Sequence, residues 1–482
     1  MSTTTNTLQV GNLIAGKRLP GEGFERRNPA DPADVVAVAP SSGRDEVDAA
    51  VSAATKAQPG WAALPAPARG AVLMDAAEIL RSRHETVARD LVREEGKTLA
   101  EARGEVRRAI DVLRYFGSAG WWLGGETLPG SQPDTLIHTR REPLGVAGVI
   151  TPWNFPIAIP AWKTAPALIS GNAVVLKPAE ITPVSAYHLS EALAAAGLPA
   201  GVLNVVHGRG AVIGETLTAD PRVAAVSFTG STAVGMRVER NLYERRARVQ
   251  VEMGGKNALV VLDDADVVHA ARIAAAGGFA LTGQACTASS RVICTPRVHD
   301  AFVEALVNEA ARYRPGNGME AGTTIGPVVS EAQLATDLDA IRRAEQAGAT
   351  VATGGAKPEG LLLAPTVLSG VGRETSAARD EIFGPVVAVL PAEDLDEAID
   401  VVNDSRYGLA AAICTRDLAA AQQFAARAQV GVIKVNRPTT GLDLNVPFGG
   451  VRDSSSNTFR EQGATAVDFF TWTKSVYLGW NP

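Results

Sequence analysis

Residues 145–180 read GVAGVITPWNFPIAIPAWKTAPALISGNAVVLKPAE, and the architecture follows from this run outward. Two short β-rich runs, GVAGVI at 145–150 and AVVLK at 173–177, flank a segment broken by prolines and then helical in composition. Positions 143–162 are 20 consecutive uncharged residues, long enough to cross a bilayer. Pro143, Pro152, Pro156, Pro160 and Asn154 interrupt them, which a continuous membrane helix tolerates poorly. The run therefore reads as a buried strand, a loop and a helix start. Downstream, VLNVV at 202–206 and VAAVSF at 223–228 keep alternating with helical segments, which predicts parallel βαβ units in a doubly wound sheet.

A second α/β unit opens near Gln250 with VQVEM and NALVVL and continues through a helical 266–280 to SRVICT at 290–295. Further strands are expected at 385–390, 410–415 and 431–435. Upstream, helical periodicity covers about 45–117 after a Gly/Pro-containing lead. The chain closes on a Gly/Ser/Asn loop at 441–458 and then FFTWTKSVYLGW. An apolar edge strand in that place invites pairing with another copy.

The 482 residues carry 46 Lys+Arg against 52 Asp+Glu, a net charge of −6, which gives no basic surplus for a nucleic-acid partner. Hydrophobic residues at 46% and charged residues at 20% describe a folded chain, long enough to bury roughly 75% of its unfolded surface. Three cysteines are too few and too scattered for a disulfide framework. The opening MSTTTNTLQV has no basic and apolar leader pattern, so a soluble, cytoplasmic protein is expected, with no membrane partner. No two of the six histidines lie closer than 19 positions, so no helical metal-ligand pair is expected. The DDAD run at 263–266 reads as a helix cap, and Arg245, Arg246 and Arg248 as a solvated surface.

Cys286, in TGQACTASSRV, is either core filling or a nucleophile; Gly283, Ala285, Thr287, Ala288 and Ser289 leave room for a substrate. Cys294 and Cys414 lie in apolar strands and read as core. Glu252, ahead of Gly254 and Gly255, fits either a solvated turn or a buried base whose pKa desolvation raises. Asn154, held between prolines in TPWNFP, suits both a turn and an oxyanion donor. GRGAVIG at 208–214 departs from the dinucleotide fingerprint. FTGSTAVG at 228–235 is better placed for a phosphate, because a strand there runs into a helix start. Lys177 and Glu180 of KPAE sit at a strand's carboxyl end, where they can bind ribose hydroxyls.

TPWNFP, KPAE, FTGSTAVG, EMGGK, GQACTASSRV, EIFGPV at 381–386, NDSRYGLAA at 403–411 and PFGG at 447–450 occur in one order. This set resembles the NAD(P)-dependent aldehyde dehydrogenase superfamily over nearly the whole chain. The resemblance implies Cys286 as nucleophile, Asn154 with the Cys286 N–H as oxyanion donors, and Glu252 as base for thioester hydrolysis. It carries Lys177 and Glu180 to the adenosine ribose, Trp153 and Ser231 to the pyrophosphate, and Glu381 and Phe383 to the nicotinamide end. Thr151, Gly210, Phe228, Gly230 and Gly254 join that cofactor site, and Lys163 and Glu461 a secondary proton path. Relatives that pass the acyl group to coenzyme A generally lack the Glu at 252, so a free acid is the expected product. Glu180 should repel a 2′-phosphate, so NAD is expected to be preferred, with NADP accepted.

The tail GLDLNVPFGGVRDSSSNTFREQG is similar to that of α-ketoglutarate semialdehyde (2,5-dioxopentanoate) dehydrogenases. It departs from them at Gly450–Asp453 and at Ser455–Ser456–Asn457. The implied substrate tunnel, Phe155, Ile159, Trp162, Ala285, Thr287 and Phe448, is apolar or small and holds no arginine for a carboxylate. It suits aromatic or medium-chain aldehydes and succinate semialdehyde as alternatives. The fold implied is α/β with a Rossmann-like cofactor domain (1–120 and 141–249), a catalytic domain (250–437), a returning loop (438–459) and a small β flap (121–140 and 460–482). The flap implies a homodimer or homotetramer.

Overall fold

In the computed structural model, which describes residues 7–480, two seven-stranded sheets form the frame. The leader reading falls largely on residues 1–6, which lie outside the described residues, as do 481–482 of the flap.

The first sheet runs in the order Arg248–Glu252, Val223–Thr229, Val146–Ile150, Ala173–Lys177, Leu203–Val205, Asn12–Ile14, Lys17–Leu19. Its first five strands are parallel, and the last two form an antiparallel hairpin on the edge. Every residue of Val146–Ile150 and Ala173–Lys177 is buried, as a parallel sheet covered by helices on both faces requires. Ala147 and Val149 join the core on one face, while Val146 and Ile150 join the core on the other. The uncharged run 143–162 is a strand, a loop and the start of helix Ala158–Ile169, as expected.

The second sheet runs Thr350–Thr353, Thr366–Ser369, Val386–Pro391, Arg291–Cys294, Ala258–Val261, Ala410–Cys414, Val432–Val435. It is parallel except for its first strand. Cys294 and Cys414 both sit opposite Val261 in neighbouring strands and are buried, so they are core residues. A three-stranded antiparallel sheet joins Thr471–Gly479 to Thr135–Pro143 and that strand to Thr127–Leu128.

Four readings need correction. VQVEM does not open the second α/β unit: Arg248–Glu252 pairs in parallel with Val223–Thr229 as an edge strand of the first sheet, and the second sheet takes its first strand in chain order from Ala258–Val261. The terminal strand begins at Thr471, because Phe469 and Phe470 end the short helix Ala466–Phe470 and are buried. Arg248 is no solvated charge: its Nη1 donates to the carbonyls of Asp468, Phe469 and Thr471, tying the tail to the edge of the first sheet. Arg245 likewise donates to the carbonyls of Thr218 and Val223. The DDAD run does cap a helix, with Asp266 accepting from the His269 N–H.

No described helix is long and apolar enough to cross a membrane. In the first sheet, Lys177, Thr229 and Glu252 are the last residues of parallel strands, and Thr151 follows another. Their carboxyl ends open on one edge, where an open α/β sheet binds ligands.

Candidate active site

Cys286 stands at the meeting of two cavities. The backbone before it is left-handed for three residues, Leu281 (φ 54°), Thr282 (φ 57°) and Gly283 (φ 66°). A Cβ on Gly283 would lie 2.1 Å from the Gly384 carbonyl oxygen, so this turn admits glycine alone. Asn257 holds the loop from behind. Its Nδ2 donates to the carbonyls of Cys286 (2.8 Å) and Ala288 (2.9 Å), while its Oδ1 accepts the Ala410 N–H. Burial pushes the Cys286 thiol up to about 12, and the carboxylates of Glu381, Glu252 and Glu461 add to the shift.

Asn154 Nδ2 gives one N–H to the Gln284 carbonyl at 3.0 Å, which orients the amide beside Cys286 and leaves its second N–H. A buried ion pair fixes this loop. Lys97 Nζ lies 2.6 Å from Glu105 Oε2 and donates to the Asn154 carbonyl at 2.8 Å. Glu105 Oε1 in turn accepts the N–H groups of Ile157 and Ala158 at the start of helix Ala158–Ile169.

Glu252 is buried and lines neither cavity at Cys286; Met253 and Gly254, next to it in the chain, line the first. Ser455 Oγ donates to its Oε1 at 2.8 Å and the Gly450 N–H to its Oε2 at 3.1 Å. Burial first, then the charge of Glu461, pushes its carboxyl up to about 8, against those two hydrogen bonds and Lys163. The triple serine stitches this loop to the strand end. Ser454 Oγ donates to the Gly254 carbonyl, its own carbonyl accepts the Met253 N–H, and the Ser456 N–H donates to Val251. Lys163 is buried and pairs with Glu461, whose Oε2 also accepts Trp162 Nε1 at 2.9 Å. Lys163 Nζ further donates to Ser227 Oγ at 2.8 Å.

The first cavity, about 240 Å³, brings Trp153, Asn154, Gly230, Ser231, Gly254, Glu381 and Phe383 to Cys286. Ile159 also opens here and not on the predicted substrate side. Glu381 Oε1 accepts the Gly255 N–H at 2.9 Å, and burial pushes its carboxyl up to about 7. A Cβ on Gly254 would meet Glu381 Oε2 at 1.9 Å, which explains the glycine. Phe383 takes φ 67° and meets Trp153 edge-on at 5.4 Å.

This space continues into a cavity of about 530 Å³ lined by Thr151, Trp153, Lys177, Glu180, Gly210, Phe228, Gly230 and Ser231 among others. The donor set suits a dinucleotide. Lys177 is buried with no hydrogen-bond partner among the described residues, and burial lowers its ammonium to about 8. The Thr151 and Thr229 hydroxyls are likewise buried and unpartnered. Ser231 is the N-cap of helix Thr232–Glu244 and keeps its hydroxyl off the helix, leaving terminal N–H groups for a phosphate.

The second cavity at Cys286, about 370 Å³, is lined by Phe155, Trp162, Ala285, Thr287 and Phe448 as predicted, and by Arg108. Sequence reasoning missed Arg108, Asn257, Lys97, Glu105 and Ser455. Glu101, Glu105 and Arg108 recur at helical spacing, and that was the available signal. Among the described residues no group of three or more His, Cys, Asp or Glu could hold a metal.

The aldehyde dehydrogenase family model matches residues 17–476. An α-ketoglutarate semialdehyde dehydrogenase of Haloferax volcanii is 47% identical, covering 95% of this chain and 96% of its own. A 2,5-dioxopentanoate dehydrogenase of Saccharolobus solfataricus is 43% identical, covering 97% and 99%. The crystal structure of an E. coli NADP-dependent enzyme superposes with a TM-score of 0.95 at 34% identity, covering 99% of this chain and 100% of that one.

Proposed function

Since this chain belongs to the aldehyde dehydrogenase family, we propose that its NAD(P)-dependent aldehyde oxidation turns 2,5-dioxopentanoate into 2-oxoglutarate on Cys286. The observation that carries the reading is the position of Cys286 between a cavity that continues into the larger cleft suited to a dinucleotide and a largely apolar cavity, with Asn154 beside it. The substrate follows the activities for which the two relatives are named.

The Cys286 sulfur bonds to the aldehyde carbon, and the thiol proton passes to a carboxylate, for which Glu252 is suited by its raised pKa. The carbonyl electron pair moves onto oxygen, where the second Asn154 N–H and the Cys286 N–H receive it. When bound, the oxidised nicotinamide supplies the hydride acceptor for the carbon held on Cys286. Lys177 and Glu180 hold the adenosine ribose, Ser231 with the helix N-terminus the pyrophosphate, and Glu381 with Phe383 the nicotinamide end. That first proton passes on through Lys163 and Glu461. Glu252 then takes a proton from water, the hydroxide adds to the acyl carbon as the C–S bond breaks, and the sulfur takes the proton back from Glu252 as the free acid leaves. Glu180 lines the cavity at the end where the ribose would sit and would repel a 2′-phosphate, so NAD is preferred over NADP.

The two seven-stranded sheets and the sheet of Thr471–Gly479 are in keeping with a cofactor unit, a catalytic unit and a flap, and the protein is read as a cytoplasmic homodimer or homotetramer. Trp121, Tyr477 and Trp480, exposed at 83%, 69% and 59%, are the surfaces a second copy would cover.

The test follows reduced nicotinamide with 2,5-dioxopentanoate, succinate semialdehyde, benzaldehyde and a medium-chain alkanal. The expected result is the highest kcat/KM for the dicarbonyl acid and none for Cys286→Ala on any aldehyde. Preference for benzaldehyde or the alkanal refutes the substrate, and activity retained by Cys286→Ala refutes the chemistry.

A further inference from the structure

The cavity on the substrate side of Cys286 is largely apolar, with its charged side chains confined to one helix face. Glu101, Gly104, Glu105 and Arg108 of helix Leu99–Ser118 recur at intervals of three and four and form one wall. Both acids on that wall are already satisfied. Glu101 Oε2 accepts from the Thr98 N–H and hydroxyl, and its Oε1 from the Leu281 N–H at 2.7 Å. Glu105 is neutralised by Lys97 and accepts two N–H groups.

Arg108 differs. It is the sole cation lining this cavity and forms no ion pair among the described residues. Its Nη2 donates to Gln462 Oε1 at 2.5 Å, which leaves the buried Gln462 Nε2 without an acceptor. Burial lowers the guanidinium pKa, while Asp443 and Asp111 act in the opposite direction from beyond ion-pair distance. A half-buried, unpaired guanidinium on an apolar wall is a waiting site for an anion, and its planar fork matches a carboxylate. Arg108 is one turn, roughly 5 Å, along the same face from Glu105, which clamps the loop of Asn154. Cys286 and Arg108 line the same cavity.

We propose that Arg108, with Gln462 beside it, receives the carboxylate of an ω-oxo acid whose aldehyde lies at Cys286, and so selects oxo acids over neutral aldehydes. This rests on the aldehyde-oxidising reading above and deepens it.

The test compares wild type, Arg108→Lys and Arg108→Met on 2,5-dioxopentanoate, succinate semialdehyde and pentanal, with glutarate as a dead-end inhibitor against pentanal. In Arg108→Met, kcat/KM for the acids should fall about 50-fold relative to pentanal, mainly through KM. Glutarate inhibition should vanish, and Arg108→Lys should recover part of both effects. Equal losses on acids and pentanal, or an unchanged ratio with glutarate still inhibiting, would overturn the inference. If wild type oxidises pentanal but not 2,5-dioxopentanoate, the substrate reading alone fails. Arg108 is then judged on succinate semialdehyde and glutarate, where selective loss in Arg108→Met supports it and retention overturns it.

Discussion

Replacing Ser455 by Ala removes the hydroxyl that donates to Glu252 Oε1 at 2.8 Å and leaves the Gly450 N–H on Oε2 in place. That hydrogen bond favours the ionised carboxylate, so its loss must raise a pKa that already stands at about 8. A hydrogen bond to a charged group is worth about 1.5–3 kcal/mol. One pKa unit corresponds to about 1.36 kcal/mol, so the shift should be about 1–2 units. If Glu252 must be ionised to take a proton from the hydrolytic water, kcat in wild type rises through a limb near its pKa, and Ser455→Ala moves that limb to higher pH. The assay is kcat against pH at saturating aldehyde and cofactor. A pre-steady-state burst of reduced nicotinamide verifies that thioester opening limits turnover. Ser455→Thr, which keeps a hydroxyl, should leave the limb near its wild-type place. A limb that stays put in Ser455→Ala, or moves to lower pH, would refute both the hydrogen-bond argument and the assignment of the limb to Glu252.

Lys163→Met strips the ammonium from the buried pair with Glu461 and leaves that carboxylate uncompensated beside Glu252. Unfolding in urea should show a loss of about 3–5 kcal/mol, and a loss below 1 kcal/mol would mean that the pair is not buried as described. Glu180→Gln removes the negative charge from the ribose end of the cofactor cavity. KM for NADP should fall about tenfold with little change for NAD, and equal changes for both cofactors would show that Glu180 does not face the 2′ position.

Much of this was legible in the chain. The strands at 146–150, 173–177, 223–229 and 410–414 announce themselves because a parallel sheet buried on both faces demands unbroken apolar runs, which have few other uses in a polar background. The hairpin Asn12–Ile14/Lys17–Leu19 and the strands Thr350–Thr353 and Thr366–Ser369 carry no such run. They are three or four residues long, each at a sheet edge or next to it, and their pairing is set by the neighbouring strand rather than by their own pattern. Arg248 shows the same limit at the scale of one side chain: a basic run looks solvated until three carbonyls from residues 468–471 close on it.

The site divides in the same way. Cys286, Asn154 and Glu252 stand in short motifs whose glycines and prolines record local backbone demands, so the ordered set of motifs and the family resemblance it carries were enough to propose them. What sets their chemistry comes from elsewhere in the chain: Ser455 on Glu252 across 203 positions, Gln284 on Asn154 across 130, Asn257 behind Cys286. Arg108 reaches the largely apolar cavity at Cys286 from a helix that periodicity marks only as amphipathic. Burial and charge proximity are properties of packing, and a pKa of about 8 on Glu252 exists only once Glu461 and an apolar surround have been folded against it.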